Sequence, residues 1–318
     1  MTSLQILIVA ILIDYFVGDP PQLWRKYPHP AVIMGWVVNF LDQQLNRGGM
    51  RMVLGIVVAI LLVLLGLAVG LLIRNLPDFN FGPITLFYDV IEICIVSVLL
   101  AHNSLIKHVE AVTDGLGQSL EAGRQNVSYI VGRNTAHMDT SDVSRAAVES
   151  AAENFSDGVV APIFWFILLG LPGILIYKFV NTADSMIGHQ TERYAQFGYG
   201  VAKLDDIMNF IPARLTGGLF CLIYRSKDAF EVMMSDADLH RSLNAGWPEA
   251  AMASILGVAL SGPRSYDGQT MSQDSFLNPR GRQNMNAEDI TASVIVLNRS
   301  WIAILGFLLL LAILIWLF

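Results

Sequence analysis

Charged residues are scarce in this chain: they make up 15% of its 318 positions, against 54% hydrophobic. Cysteine is nearly absent. Cys94 and Cys221 lie far apart in apolar surroundings, which excludes a disulfide framework or a cysteine-based metal site and leaves two packing residues. Basic residues are outnumbered, 20 Lys and Arg against 27 Asp and Glu, and the net charge of −7 argues against nucleic acid as a partner. There is no G-x-x-x-x-G-K-[ST], no G-x-G-x-x-G after a strand and no H-E-x-x-H, so any nucleotide is held in a less familiar way. No repeat of roughly 20–50 residues is visible, no low-complexity tract, and no inverted similarity of the kind many transporters carry. Strict apolar/polar alternation is missing too, so the part outside the membrane reads as helical.

What the chain has instead is long uncharged runs, giving a mean hydropathy of +0.52. Residues 53–73 (VLGIVVAILLVLLGLAVGLLI) and 301–318 (WIAILGFLLLLAILIWLF) carry no charge, and each is long enough to cross a ~30 Å hydrocarbon core. The second is framed by Trp301 and Trp316, side chains that favour the membrane interface. Residues 4–18 (LQILIVAILIDYFVG) include Asp14; with no basic stretch before them and no small-x-small site after, they read as an uncleaved first span. Residues 84–101 make a third span with Asp89 and Glu92 inside it. Residues 159–180 are apolar but broken by Gly170, Pro172 and Gly173, which fits a re-entrant or surface-dipping hairpin better than a crossing.

Charge sets the orientation. With four full spans, segments 19–52 and 102–300 share one side and hold 19 of the 20 Lys and Arg, leaving only Arg74 opposite. The excess of basic residues makes that side cytoplasmic and puts both termini outside. If 159–180 crossed, a further crossing would be needed, and residues 207–224 could supply it. The expectation is an all-α, multi-pass protein of the cytoplasmic membrane, one helical domain over 1–318, with a cytoplasmic-side body over 102–300 that carries the active face.

Helices in the body are marked locally. Leu105, Val109, Val112, Leu116 and Leu120 keep a helical stripe. Asp139-Thr140-Ser141-Asp142 offers caps for the next helix. Pro248, after Asn244-Ala245-Gly246, is placed as a first-turn proline for a helix through EAAMASIL. Asn286 caps a helix expected to run to about Leu297, and residues 261–283 are turn-rich.

Five places could hold chemistry. In RAAVESAAENFSDG (145–158), Arg145, Glu149, Glu153 and Asp157 recur every four residues. A four-residue step drifts only about 40° around a helix, so one flank would carry a cation and three carboxylates. A solvated face with one Arg–Glu pair is the plain alternative, worth a few tenths of a kcal/mol. Successive like-charge pairs cost about as much, and stacked carboxylates are tolerated best when a cation such as Mg²⁺ neutralises them. In YKFVNTADSMIGHQTERY (177–194), Lys178, Asn181, Asp184 and Ser185 fall at helical spacing, as they also would in a polar cap where an apolar segment ends. KLDDIMNFIPARL (203–215) has adjacent Asp205 and Asp206 and then Arg214, a weak signal alone. NAGWPEAAM (244–252) starts a helix whose amides suit an anion, or is only a helix start. DYFVGDP (14–20), followed by PHP at 28–30, puts Asp14 near a span end, where an acid is either functional or snorkelling to the interface.

Together these blocks resemble the CobD/CbiB family of cobalamin biosynthesis, the adenosylcobinamide-phosphate synthases. The likeness runs nearly end to end through DYFVGDP, PHP, IVGR at 130–133, RAAVESAAENFSDGVVAPIFW at 145–165, YKFVNTADSMIG at 177–188, RYAQFG at 193–198, KLDDIMNFIPARL, NAGWPEAAMA and LSGPRSYDG. Three positions depart from the pattern: Asn134 stands where Asp is usual after IVGR, Leu243 where a proline commonly precedes NAG, and Ser261 where Gly is usual. A weaker likeness extends to AmpE-like membrane proteins.

The resemblance implies an integral membrane enzyme that joins (R)-1-aminopropan-2-ol phosphate, or aminopropanol, to a propionate of adenosylcobyric acid as an amide, using ATP. A carboxylate needs activation before it condenses with an amine, and an acyl-phosphate is the economical route. Phosphoryl transfer calls for Mg²⁺ and cations on the phosphates, and the amine must lose a proton to a base. On that footing Glu149, Glu153 and Asp157, with Asp184, Asp205 and Asp206, are expected to form the catalytic cluster, the first three as candidate Mg²⁺ ligands. Arg133, Arg145, Lys178 and Arg214 are expected on phosphates, and Asn154, Asn181, Ser185 and Asn244 on substrate. Membrane lipid and other late enzymes of the pathway are the expected partners. Two other classes compete: a small-molecule transporter, which would string acids through several spans, and an AmpE-like sensor or scaffold, which would survive loss of Glu153.

Overall fold

The uncharged run at 53–73 forms one continuous helix, α4 (Arg51–Arg74), in a computed structural model that describes residues 1–74, 84–263, 265–266, 270–271 and 275–317. The other helices are α1 (Ser3–Phe16), α2 (Pro21–Lys26), α3 (Pro30–Leu45), α5 (Ile84–Leu99), α6 (His102–Gln118), α7 (Leu120–Val127), α8 (Thr140–Phe155), α9 (Ala161–Ile187), α10 (Tyr199–Tyr224), α11 (Lys227–Asp236), α12 (Gly246–Leu256) and α13 (Ala287–Leu317). Among the described residues the strands are two-residue pairs within 260–277. Five helical runs are long and apolar enough to cross a membrane: Arg51–Arg74, Tyr88–Gln118, Thr140–Ile187, Tyr199–Tyr224 and Ala287–Leu317. The protein is an all-α membrane protein.

The spans differ from expectation in two places. Helix α1 has only 14 residues, about 21 Å of rise, and falls short of the ~30 Å a full crossing needs. Helix α10 is long and apolar enough to supply the crossing that the 207–224 stretch offered; its first turns carry Lys203, Asp205 and Asp206. Helix α13 does not stop near Leu297. Asn286 caps it, accepting from the amides of Glu288 and Asp289, and it then runs unbroken into the terminal apolar run.

The chain folds as two compact units, Met1–Ala101 with Ala161–Asn209 and Leu311–Phe318, and His102–Val160 with Phe210–Leu310. In the first, the segment broken by glycine and proline is a helical hairpin. Gly170 leaves the helical region with φ 65° and ψ −150°, a conformation essentially reserved for glycine. Eight residues of straight helix would separate Trp165 from Gly173 by about 12 Å. Instead a Cβ on Gly173 would strike the Trp165 carbonyl oxygen, and Ala161, Tyr177 and Val180 share one buried cluster with Met208. The arms therefore fold back on each other at Gly170.

Helix α4 receives the second arm closely. A Cβ on Gly66 would meet the backbone of Ile176, and one on Gly70 that of Pro172. Small residues four apart allow this approach of two backbones. As Gly70 faces Pro172 and Gly66 faces Ile176, the arm runs antiparallel to α4, with Gly170 beside the Arg74 guanidinium. Near the other end, Asp19 accepts from the Trp24 indole and meets His29 Nε2 at 3.2 Å. His29 Nδ1 accepts the Ala31 amide and so caps α3, which leaves the ring proton on Nε2, facing Asp19, in the neutral form. The PHP motif is thus a helix start held by the DP aspartate.

In the second unit α8 lies deep. Val143, Ala146, Ala147, Val148, Ala151, Ala152 and Phe155 are all buried; the alanines bring its backbone near its neighbours. Its start is a capping box in which Asp139 accepts the Asp142 amide, as the DTSD stretch predicts. Helix α12 has Pro248 in its first turn, also as expected. Strands 260–261 and 276–277 pair antiparallel. Part of the turn-rich 261–283 stretch lies outside the described residues.

Candidate functional site

The acidic helix does not keep its four-residue ladder to the end. Arg145, Glu149 and Glu153 stand on α8, but Asp157 falls in a π turn, Ser156–Val160, that follows it. The wider turn takes Asp157 off the regular flank, a correction to the single-helix expectation; π turns of this kind are frequent at functional sites. Glu149 is buried, Glu153 exposed and Asp157 half-buried.

Glu149 organises its surroundings. One carboxylate oxygen faces Arg133 Nη2 at 3.1 Å, and the other accepts the Ser261 amide at 2.6 Å. Ser150 donates to the Ile130 carbonyl, and Asn154 donates to the Ser150 carbonyl and hydroxyl. The IVGR segment is therefore held along α8 by Ser150 at its first residue and Glu149 at its last. Arg145 binds the carbonyls of Ala259 and Gln283, pairs with Asp142 and lies over the Phe276 ring, so its guanidinium ties α8 to the following loop. Arg214 sits between the rings of Phe210 and Trp247, 3.5 and 4.3 Å from their centroids, and reaches Asn244 Oδ1.

The remaining predicted residues belong to the first unit, along the seam between the second hairpin arm and α10. Tyr177 donates to Asn209 Oδ1, Asn209 donates to Asp205 Oδ2, and Asn181 Nδ2 approaches Asp205 Oδ1 at 3.4 Å. Tyr177 opposite Asn209 and Asn181 opposite Asp205 make an antiparallel register, which brings Asp184 within electrostatic reach of Asp205 and Asp206. Lys203 pairs with Asp206 at 2.8 Å. A Cβ on Gly188 would collide with the Asp184 carboxylate, which explains the glycine of the SMIG stretch. Ser185 bonds back to the Asn181 carbonyl, and Lys178 is half-buried on the same arm.

The six predicted carboxylates thus divide three and three between the units. Among the described residues no three His, Cys, Asp or Glu side chains gather as a metal site. Carboxylates are ligands for hard cations, which can take only one or two of them from a protein. Sequence reasoning missed Tyr177, Asn209 and Ser150, whose partners lie on other segments. It also missed His240 and Glu249, whose side chains are both buried, with Nε2 and Oε2 3.7 Å apart. Only Glu249, inside the quoted WPEAAM stretch, left a signal to follow.

Fold and site define an integral membrane protein with two buried polar networks carrying carboxylates. The family model described as CobD/Cbib protein matches residues 7–297, and the chain belongs to that family. Curated relatives named Cobalamin biosynthesis protein CobD include one from Brucella anthropi, 49% identical over 92% of this chain and 91% of its own. Another, from a Sinorhizobium species, is 45% identical over 98% of both chains, and one from Rhodobacter capsulatus is 43% identical over 87% and 88%. No solved structure matches.

Proposed function

We propose that this chain is the amide-forming ligase of cobalamin biosynthesis, joining (R)-1-aminopropan-2-ol phosphate, or aminopropanol, to a propionate of adenosylcobyric acid with MgATP as co-substrate. Family membership over nearly the whole chain supports the pathway. The observation that carries the chemistry is the contrast along the acidic helix: Glu149 is buried and bonded at both oxygens, while Glu153 and Asp157, on the next turns, are accessible.

In the first step a propionate oxygen attacks the γ-phosphorus of ATP, the bond to the β-phosphate oxygen breaks, and ADP leaves. The amine nitrogen then attacks the acyl carbon, its proton passes to a carboxylate, and phosphate departs with the C–O electron pair. Glu153 and Asp157 would orient the nucleotide through its magnesium, and Arg133 and Arg214 would meet phosphate oxygens. Asp184, Asp205 and Asp206 would supply a second group of carboxylates able to accept a proton.

The test is an assay of the detergent-purified protein with adenosylcobyric acid, aminopropanol phosphate and MgATP. Mass spectrometry follows the amide while ADP is measured in parallel. Product and ADP formed one for one support the ligase. Folded protein that makes no product points to the sensor or scaffold class instead.

A further inference from the structure

Three arginines, Arg47, Arg51 and Arg193, line a polar cavity of about 460 Å³ together with Asp42, Gln43 and Asn46, and none of them belongs to the polar networks described above. All six residues lie within the first unit. Asp42, buried at the last turn of α3, is fully engaged: one oxygen accepts from Asn46, the other from Arg193 at 2.5 Å and from the Tyr194 hydroxyl. It neutralises Arg193. Among the described residues, Arg47 and Arg51 have no carboxylate within ion-pair distance. The cavity therefore keeps an excess of two positive charges, and the Asn46 Oδ1 atom beside them is buried with no donor.

The cavity lies where the uncharged helix begins. Arg51 is the first residue of α4, and the uncharged run begins two residues later. Helix α3 leads to the cavity along an exposed apolar stripe, Ile33, Trp36 and Phe40, which Gln43 continues at helical spacing. Met50, Met52 and Val53 are exposed beside the arginines. Guanidinium groups match phosphate oxygens in geometry, and an apolar stripe ending in such groups fits a molecule with acyl chains and an anionic head.

We propose that Arg47, Arg51 and Arg193 form a binding site for the phosphate of an acidic phospholipid, whose chains lie along the exposed face of α3. Asp42 positions Arg193 for this task. The partner is structural lipid, distinct from any phosphorylated substrate.

Native mass spectrometry of the full-length protein in detergent tests this with phosphatidylglycerol, phosphatidylcholine and inorganic phosphate as probes. Phosphatidylglycerol should be retained over phosphatidylcholine. Two basic side chains near the surface account for roughly a 30-fold change in affinity, so Arg47→Gln/Arg51→Gln should lose about that much, while Arg47→Lys/Arg51→Lys keeps most of it. Equal retention of the two lipids, or an unchanged double Gln variant, overturns the site. Displacement of phosphatidylglycerol by millimolar inorganic phosphate, on the order of a soluble metabolite's affinity, assigns the arginines to a soluble anion and overturns the lipid. Should the double Gln variant not fold, Gln43→Glu adds a negative charge to the cavity with the arginines intact and must weaken phosphatidylglycerol in the same direction.

Discussion

The indole N–H of Trp165 donates to the backbone carbonyl of Met208 at 3.1 Å. That carbonyl is the one α10 cannot satisfy by itself, because the residue four positions on is Pro212, which has no amide hydrogen. The first arm of the hairpin thus supplies the donor that a helix interrupted by proline lacks. In an apolar surrounding an unpaired carbonyl is costly, and helices there tolerate proline when a neighbour re-satisfies it.

Trp165→Phe should therefore destabilise the protein by roughly 1–3 kcal/mol, the range for an orphaned buried acceptor, with some added loss of packing. In a Pro212→Ala background the helix regains its own donor, and the same substitution should cost measurably less. Thermal unfolding in detergent of the four proteins of this cycle reads the coupling. Strict additivity would rule out the carbonyl as the link.

Glu149 joins Arg133 to the Ser261 amide, with both side chains of the pair largely buried. Removing one member of a buried pair leaves the other uncompensated, at a cost of roughly 3 kcal/mol. Glu149→Ala should lose about that amount, and Glu149→Gln less, since an amide oxygen can still accept from Ser261. Chemical or thermal unfolding would show the order. If Ala and Gln variants were equally and barely destabilised, Glu149 would not be the organising residue.

Glu153 is the sharper probe of chemistry. It is exposed on the turn after Glu149, so Glu153→Gln should cost no more than about 1 kcal/mol of stability, the range of an exposed ion pair, and leave membrane insertion unchanged. Turnover in the ligase assay should fall by at least about 100-fold, the scale of a lost charged or proton-transferring group. Near-normal turnover removes Glu153 from the mechanism.

How much of this was legible depended on whether a residue's partners are local. Periodicity and caps announced α4, α8 and α12, because an apolar run, the Asp139–Asp142 box and Pro248 act within a few residues of themselves. Gly170, Pro172 and Gly173 announced a break, and the hairpin follows from it. The bounds of α1 were nearly legible, 4–18 against Ser3–Phe16, but counting so short a segment as a full span was not justified by its length. The seam was not legible: Tyr177 opposite Asn209 and Asn181 opposite Asp205 are pairs that only the antiparallel register of arm and helix creates. Asp157 was misplaced because a π turn leaves no periodic trace in so short a segment.

Gly170 carries the hairpin, and its φ and ψ are open to glycine alone. Gly170→Ala should lower stability by roughly 1–3 kcal/mol, with the strain confined to the tip. Gly218 is the control: it lies inside α10 with no atom near a Cβ, so Gly218→Ala should raise stability by up to about 1 kcal/mol. The two alanines moving the unfolding midpoint in the same direction would contradict the hairpin.

Ser261 joins the sequence departure to the structure. Its φ is +58°, in the left-handed region where a side chain costs roughly 1–2 kcal/mol and glycine little. Glycine is also the residue the family resemblance leads one to expect there, and the amide of Ser261 is the one Glu149 accepts at 2.6 Å. Ser261→Gly relieves the strain and gives back part of the gain as extra freedom of the unfolded chain. The net expectation is a stabilisation of about 0.5–1 kcal/mol, with the Glu149 bond kept because it uses backbone. Unfolding midpoints of the unsubstituted protein and the Ser261→Gly variant decide it. A destabilised glycine variant would mean that the buried serine side chain holds the loop by contacts worth more than the strain.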